Sequence, residues 1–338
     1  MLILNLLFFI FIPRNRSFMK LQTQIPIQKE ARNLIDYQSN LFLLGSCFSE
    51  NIGRKLLDVK LQSLQNPFGI LFHPKAIESL ITKALNKKEY TEKDVFSLNE
   101  RWHCFDAHSS LSNANKNELL KSLNAKIVET KKQLINTSHI LITLGTSWVY
   151  RHIDSDVIVA NCHKVPQKKF RKELLPVDEI SEILNKIITL IHSKNTDAVV
   201  LFTVSPVRHL KDGFIENQQS KSHLIAAIHK TIVAHENCSY FPSYEIMMDE
   251  LREYRFYKED MIHPNKTAIN YIWERFVNTW FTEQSKEIMK EVLEIQNGIN
   301  HKAFHPDSEQ HLRFLESLDL KIKRLKEKHP FIHFKSNK

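Results

Sequence analysis

Short apolar runs alternate along this chain with longer stretches in which apolar residues recur every three or four positions. The almost continuously apolar runs lie at 41–44, 140–144, 198–204 and 240–241. Helical spacing marks the segments 76–85, 119–135, 180–191, 224–232 and 268–280. Strands that are apolar throughout are typical of a parallel sheet whose two faces are both covered by helices. The pattern therefore predicts an α/β fold.

The segments outside this alternation predict smaller features. Two short segments, 148–152 and 157–161, flank a polar tip and predict a hairpin. After Phe281 the composition becomes more charged, and 283–299 and 307–328 read as helices with thin apolar stripes. We therefore predict one α/β domain over 19–283 and a helical C-terminal extension over 284–338, with an interaction role that includes a homo-oligomer contact.

The first eighteen residues form a separate apolar segment. The run at 2–12 is too short to span a bilayer, and the sequence Pro-Arg-Asn-Arg that follows does not resemble a signal-peptide cleavage site. Met19 opens a segment that reads as a natural beginning. Our hypothesis is that 1–18 is an appendage or a mis-assigned start, so no stable membrane insertion is expected.

Composition and charge exclude several classes of protein. The 338 residues are 42% hydrophobic and 25% charged, which is typical of a globular protein with a sizeable core. The formal charge of +9 comes from scattered lysines and arginines, without the basic and aromatic clusters of nucleic-acid-binding proteins. The four cysteines are far apart and form no metal-ligand spacing, so we expect free thiols, a cytoplasmic protein and no metal or cofactor.

The first candidate for chemistry is the turn Gly45-Ser46-Cys47. An apolar strand stops at Gly45, two small residues that can act as nucleophiles follow, and an amphipathic segment begins at once. Such a turn lifts a short side chain out of the sheet and points free N–H groups of the helix toward whatever that side chain attacks. Most glycine- and serine-containing turns are only turns, and Cys47 also fits as a small packing residue.

The second candidate is the pair Asp260 and His263, which lie three residues apart just before Pro264, where we expect a helix to start. A carboxylate can fix the tautomer of an imidazole and leave its other nitrogen free to take a proton from a nucleophile. A helix cap beside a surface imidazole is the alternative interpretation of the same residues.

Together these features resemble the SGNH (GDSL-like) hydrolases, and within them the chain is similar to the GSCFA-domain family. The segments that carry the resemblance are GSCFSENIG (45–53), NPFGILFHP (66–74), LGTSWVY (144–150), TVSPVRH (203–209), DGFIENQQSKS (212–222) and FPSYEIMMDELREYRFYKEDMIHP (241–264). The resemblance runs from about residue 19 to about residue 281. Ser49 stands where the motif that names the family ends in alanine.

The resemblance implies a flavodoxin-like parallel sheet in a three-layer α/β/α sandwich, and ester or acyl chemistry. It also implies an altered site, because GDSL-type enzymes read Gly-Asp-Ser with serine as the nucleophile. Here Cys47 occupies the serine position and Ser46 the aspartate position. The later Gly-x-Asn-Asp block falls on 145–148, which puts Ser147 in place of the oxyanion asparagine. The Asp260 and His263 pair matches without change.

Physical reasoning favours Cys47 over Ser46 as the nucleophile, because a helix N-terminus and a nearby imidazole both stabilise a thiolate. The candidate oxyanion donors are the backbone N–H of Cys47 or Phe48, that of Gly69, and Ser147. The residues that we assign to substrate binding are Asn66, Gly145, His108 and Arg208. His108 and Arg208 fit a polar network under a loop equally well.

Three functions remain open on the sequence. The leading one is an SGNH-like hydrolase of an ester or O-acyl bond, with an acylated carbohydrate or small acyl ester as substrate. An acyltransferase would use the same machinery to move the acyl group to an acceptor other than water. A non-catalytic binding module would keep the fold after losing the serine and the asparagine.

Overall fold

A computed structural model describes residues 22–334, so the apolar segment 1–18 lies outside the described residues. The strands are β1 (Asn40–Gly45), β2 (Gln62–Gln65), β3 (Phe96–Leu98), β4 (Arg101–His103), β5 (His139–Leu144), β6 (Trp148–His152), β7 (Val157–Val159), β8 (Phe170–Leu174), β9 (Val199–Val204) and β10 (Cys238–Tyr240). The α-helices are α1 (Cys47–Asp58), α2 (Pro74–Leu85), α3 (Lys116–Asn136), α4 (Val177–His192), α5 (Phe214–Ile232), α6 (Ser243–Glu245), α7 (Lys266–Trp280), α8 (Glu283–Asn300) and α9 (Glu309–Lys328).

Five parallel strands form the central sheet in the order β2-β1-β5-β9-β10. In chain order this is the 2-1-3-4-5 arrangement of flavodoxin-like folds, so the predicted fold class is confirmed. The strand order reverses between β1 and β5. Ligands of open α/β sheets bind at such a reversal, beyond the carboxyl ends of the strands.

Alternate side chains of the central strands β1, β5 and β9 enter two separate cores, which explains why these strands are apolar almost throughout. Phe42 and Leu44 of β1 pack with α2, α3, α4 and α5 on one face of the sheet. Leu41 and Leu43 pack with α1, α7, α8 and α9 on the other. Because both faces are covered, no position of β1 beyond its first residue reaches solvent.

The C-terminal helices belong to the second of these cores. Met289, Val292 and Ile295 of α8 are buried in it, and Leu318 and Leu325 of α9 join them. The extension therefore covers one face of the sheet through a thin apolar stripe. No helix among the described residues is both long enough and apolar enough to cross a bilayer.

The structure also contains elements that the apolar pattern did not predict. Strand β2 lies at the edge of the main sheet, β3 and β4 form a small hairpin, and β8 adds a third strand to the hairpin of β6 and β7. Helix α7 begins at Lys266 with Asn265 as its cap, so the expectation that Pro264 starts it is wrong. Asn265 accepts a hydrogen bond from the Ala268 N–H and thereby satisfies one of the free donors of α7.

Candidate active site at the carboxyl edge of the sheet

The turn between β1 and α1 requires glycine at its first position. Gly45 has φ +132°, and a Cβ built on it would lie 2.1 Å from the backbone oxygen of Thr143. Its N–H donates to the Asn66 side-chain oxygen at 2.9 Å, which ties the end of β1 to the end of β2. The tight approach to β5 places the start of α1 directly at the point where the strand order reverses.

Ser46 is the N-cap of α1 and points into the protein. Its hydroxyl accepts a hydrogen bond from the Phe48 N–H at 3.3 Å, and its own N–H donates to Thr143 O at 3.0 Å. The residue has no exposed surface. Ser46 is therefore engaged in holding the turn, and a substrate has no access to its hydroxyl in this conformation.

Cys47 is the first residue of α1 and is only partly buried. Burial raises the pKa of its thiol, and the Glu50 carboxylate raises it further. The charge of Lys221, a hydrogen bond from the residue's own N–H and the charge of Lys258 oppose this rise without cancelling it. Burial therefore outweighs the stabilisation of the thiolate by the helix N-terminus, and the resting group is a protonated thiol that needs a base.

Asp260 and His263 form the contact that their spacing predicts. Asp260 Oδ2 lies 2.7 Å from His263 Nδ1, and Oδ1 accepts the N–H groups of Ile262 and His263, both at 2.9 Å. These bonds, led by the His263 N–H, lower the pKa of Asp260 to about 2. Met261 adopts a left-handed φ of 55°, which folds the segment back on itself. The imidazole remains 39% exposed, so it is held in orientation yet accessible.

Backbone contacts join this loop to the carboxyl end of β9. The Arg208 N–H, four residues beyond β9, lies 3.4 Å from Ile262 O. The Lys258 N–H donates to His263 O at 2.8 Å and closes the loop around the imidazole. The charge of His263 contributes to the lowered pKa of His209, and the charge of Lys258 partly offsets the rise in the pKa of Cys47. The structure therefore brings the Asp260 and His263 pair to the same edge of the sheet as the β1–α1 turn.

Two of the predicted oxyanion donors are already used within the protein. The Gly69 N–H donates to Asn66 O at 2.8 Å, as part of a turn that Gly69 makes with φ +72°. The Ser147 hydroxyl donates to Ser220 O at 3.1 Å, and its N–H donates to Ser220 Oγ at 2.8 Å. Both assignments are therefore wrong for this conformation, because the hydrogens that they need are directed at α5 or at the 66–69 turn. The Cys47 N–H, at the first position of the helix, stays a prediction.

The four predicted substrate-binding residues lie on the loops at this edge, and they differ in the contacts that they already make. Asn66 is buried, and its side-chain nitrogen has no hydrogen-bond partner. Gly145 donates its N–H to Phe72 O at 2.7 Å. His108 packs against Gly69 and bonds Ser110 Oγ at 3.0 Å, whereas Arg208 contacts the sulfur of Met248 at 2.9 Å. Asn66 is therefore the member of this set with a buried polar atom that has no hydrogen-bond partner among the described residues.

A cleft of about 400 Å³ opens beside the end of β5. Its walls include the rings of Phe72, Trp148 and Tyr150, together with His209. Burial, followed by the charges of Lys221 and His263, lowers the pKa of His209 to about 3, so this imidazole is neutral. Its Nε2 is buried without a hydrogen-bond partner among the described residues, which is unusual for a polar atom.

Lys221 is a functional candidate that the sequence reasoning did not select. The residue is completely buried in α5, and its ammonium donates to Gly145 O at 2.7 Å and to Ser205 O at 2.8 Å. The sequence did indicate a buried lysine here, because Lys221 lies three residues before Leu224 and seven before Ile228, on the apolar stripe of the helix. A charged residue on such a stripe is rarely buried without a specific partner.

Comparisons with known proteins identify the family of this chain. The model of the GSCFA family matches residues 40–276, and that of the GSCFA domain protein C-terminal domain matches 292–338. A search among curated proteins finds no match. Among solved structures, the chain is similar to an acetyl xylan esterase from the rumen bacterium Butyrivibrio proteoclasticus, at 10% identity and a TM-score of 0.39. That alignment covers 73% of this chain and 64% of the esterase. On the family match, which spans most of its length, this chain belongs to the GSCFA family.

Proposed function

We propose that this protein cleaves an ester or O-acyl bond, with Cys47 as the nucleophile, His263 as the general base and Asp260 as the residue that orients the imidazole. The observation that carries the proposal is the 2.7 Å contact between Asp260 Oδ2 and His263 Nδ1, at the sheet edge where Cys47 begins α1. The resemblance to SGNH hydrolases implies the same chemistry.

The contact with Asp260 assigns separate roles to the two nitrogens of His263. Nδ1 is engaged by the carboxylate, so Nε2 is the nitrogen that exchanges protons with a nucleophile. Asp260 is ionised throughout the neutral range because its pKa is lowered to about 2. A carboxylate in this state stabilises the imidazolium that forms when His263 accepts a proton.

The proposed reaction has two steps. The Cys47 thiol gives its proton to His263 Nε2 while sulfur attacks the acyl carbon, and the alcohol leaves with that proton as a thioester forms. Water then gives a proton to the imidazole and attacks the thioester, which returns the thiol and releases the acid. Because burial raises the thiol pKa, the proton moves during the attack rather than before it.

The cleft beside β5 is the proposed position of the substrate. Its aromatic walls suit the apolar faces of a sugar ring or a short acyl chain. We therefore propose an acylated carbohydrate or a small acyl ester as the substrate class. Cytoplasmic localisation and self-association through the C-terminal helices stay predictions.

The experiment is a hydrolysis assay with p-nitrophenyl esters of short acids and with O-acetylated sugars. We expect Cys47→Ala to lose at least about 10³-fold in kcat/KM and His263→Ala about 10² to 10⁴-fold. The matched control is Cys238→Ala, because Cys238 is also a free thiol but lies in β10, away from the residues that line the cleft. Full activity of Cys47→Ala refutes the nucleophile assignment.

Product analysis separates hydrolysis from acyl transfer on the same machinery. An acyl group recovered on an added alcohol, with little free acid, identifies a transferase that uses the same residues. A protein that is inactive toward every ester and whose Cys47 resists alkylation fits a binding module instead.

A further inference from the structure

The cleft beside the end of β5 carries positive charge that its own acidic group does not neutralise. Lys164 and Lys211 line the cleft, and both residues are exposed. Neither forms a salt bridge with a carboxylate of residues 22–334. The carboxylate among the lining residues, that of Asp212, already lies 2.6 Å from the ammonium of Lys172. Two ammonium groups of the cleft are therefore left without an acidic partner in the part of the chain that the structure describes.

The histidines and the cysteine of the cleft do not change this balance, because they are neutral near pH 7. Burial lowers the pKa of His73 and of His163 to about 4, and that of His209 to about 3. Burial raises the pKa of the Cys162 thiol to about 11, and the charge of Lys211 opposes this rise only in part. The excess charge of the cleft is therefore positive across the neutral range.

A strained turn holds the backbone of Lys164 at the cleft. His163 and Lys164 have left-handed φ values of 48° and 62°, which are unfavourable for residues other than glycine. The Val165 N–H closes the turn by donating to Cys162 O at 2.9 Å. The buried ring of His163 donates from Nε2 to Cys104 O at 2.7 Å. Such strain persists where the surrounding contacts impose it, and it is concentrated at ligand-binding and active sites.

The positive charge continues from the cleft toward the Asp260 and His263 pair. Arg208 directly precedes His209, which lines the cleft, and its guanidinium contacts the sulfur of Met248 at 2.9 Å in place of a carboxylate. The backbone N–H of Arg208 lies 3.4 Å from Ile262 O, in the loop that carries the pair. A ligand that reaches from the cleft toward His263 therefore passes groups of one sign of charge, and these favour an anion.

We propose that the cleft binds a sugar that carries an anionic group, a carboxylate or a phosphate, and that Lys164 and Lys211 select for this group. The rings of Trp148 and Tyr150 contact the sugar ring, as aromatic walls of small-molecule sites do. The proposal rests on the proposed function for the acyl group alone, because binding of the sugar requires no cleavage. A neutral sugar keeps the aromatic contacts and loses the two ion pairs, each worth up to about fivefold in affinity at an exposed position.

The test is an NMR titration of the indole N–H signal of Trp148, which the variant Trp148→Phe identifies. The probes are methyl glucuronoside, glucose 1-phosphate and, as the neutral counterpart, methyl glucoside. We expect an anionic probe to bind about tenfold more tightly than methyl glucoside, and about 1 M sodium chloride to reduce this preference to about twofold. A preference confined to one anionic probe identifies the group as carboxylate or phosphate. Equal affinity for all three probes, or no shift with any of them, overturns the proposal.

Substitution of the two lysines locates the selectivity. Lys164→Gln and Lys211→Gln should each weaken binding of the preferred anionic probe by about two- to fivefold, and leave that of methyl glucoside within about twofold. Lys87→Gln is the matched control, because Lys87 is also exposed and left-handed, with φ 51°, but does not line the cleft. Unchanged affinity in both cleft variants overturns the assignment of these lysines.

These measurements also separate this proposal from the proposed function. A protein that cleaves no ester but prefers the anionic probes contradicts the proposed function alone. An active esterase without this preference contradicts the present proposal alone.

Discussion

Ser46→Ala tests whether the enclosed hydroxyl of the β1–α1 turn is structural. The substitution removes the acceptor of the Phe48 N–H at the start of α1. Loss of a serine N-cap costs about 1 kcal/mol. Because Phe48 is buried, its unsatisfied N–H adds to this cost, but the replaced bond is long at 3.3 Å. We expect a total loss of about 1 to 2 kcal/mol in the free energy of unfolding.

The assay pairs urea denaturation with ester hydrolysis on the same preparations. Ser308→Ala is the matched control, because Ser308 caps α9 with the same residue type and the same distance, 3.3 Å to the His311 N–H. We expect both variants to lose stability, Ser308→Ala by less because it is not enclosed, and both to keep kcat/KM within about threefold. A folded Ser46→Ala that loses activity more than about a hundredfold, while Cys47→Ala stays active, refutes the reasoning.

Three further predictions concern the residues around this turn. Gly69→Ala should destabilise the protein by about 1 to 3 kcal/mol in urea denaturation, because the position has φ +72° and the new Cβ would lie 2.4 Å from His108 Cβ. His108→Ala in the same chain should restore little of this loss, because alanine keeps the clashing Cβ. The fold lowers the pKa of Asp260 from its ordinary value of 3.8 to about 2. The contribution of Asp260 to stability is therefore fully present at pH values above 3.8 and is lost as the pH falls toward about 2. Acid unfolding of Asp260→Asn should therefore lack this component, and an identical profile contradicts it. At neutral pH the same variant should lose kcat with little change in KM, because it removes the group that orients His263.

The main sheet could be predicted because its strands are buried on both faces. The segments 41–44, 140–144 and 198–204 are apolar without interruption or nearly so, and nothing in them competes with that signal. Strands β2 and β8 have mixed burial at sheet edges, and their sequences, QSLQ and FRKEL, carry no apolar run. Their pairing is set by neighbours distant in sequence, which a local pattern does not contain.

Part of the candidate site could likewise be predicted from residues close in sequence, whereas part depends on contacts between distant segments. The contact of Asp260 with His263 spans three residues and follows from the spacing, although its catalytic role stays a prediction. The Gly69 N–H bonds Asn66 O in a turn that also spans three residues, whereas the Ser147 hydroxyl bonds Ser220 O, 73 residues away. Tertiary packing sets the second of these partners, and in both cases residue type alone suggested a donor that the fold has already used.

The two positions after Gly45 differ in accessibility, and this difference explains the altered motif. The first is the N-cap, whose side chain turns inward to bond the helix, and the second opens the helix at the carboxyl edge of the sheet. Aspartate and serine are both preferred N-caps, so Ser46 can replace the aspartate of Gly-Asp-Ser without loss of the turn. The attacking position that we propose is then that of Cys47, and exchange of oxygen for sulfur there would change the covalent intermediate from an ester to a thioester. Ser46 and Cys47 therefore do not compete for one role, because the fold assigns capping to the first and leaves the second partly exposed at the position where we propose contact with a substrate.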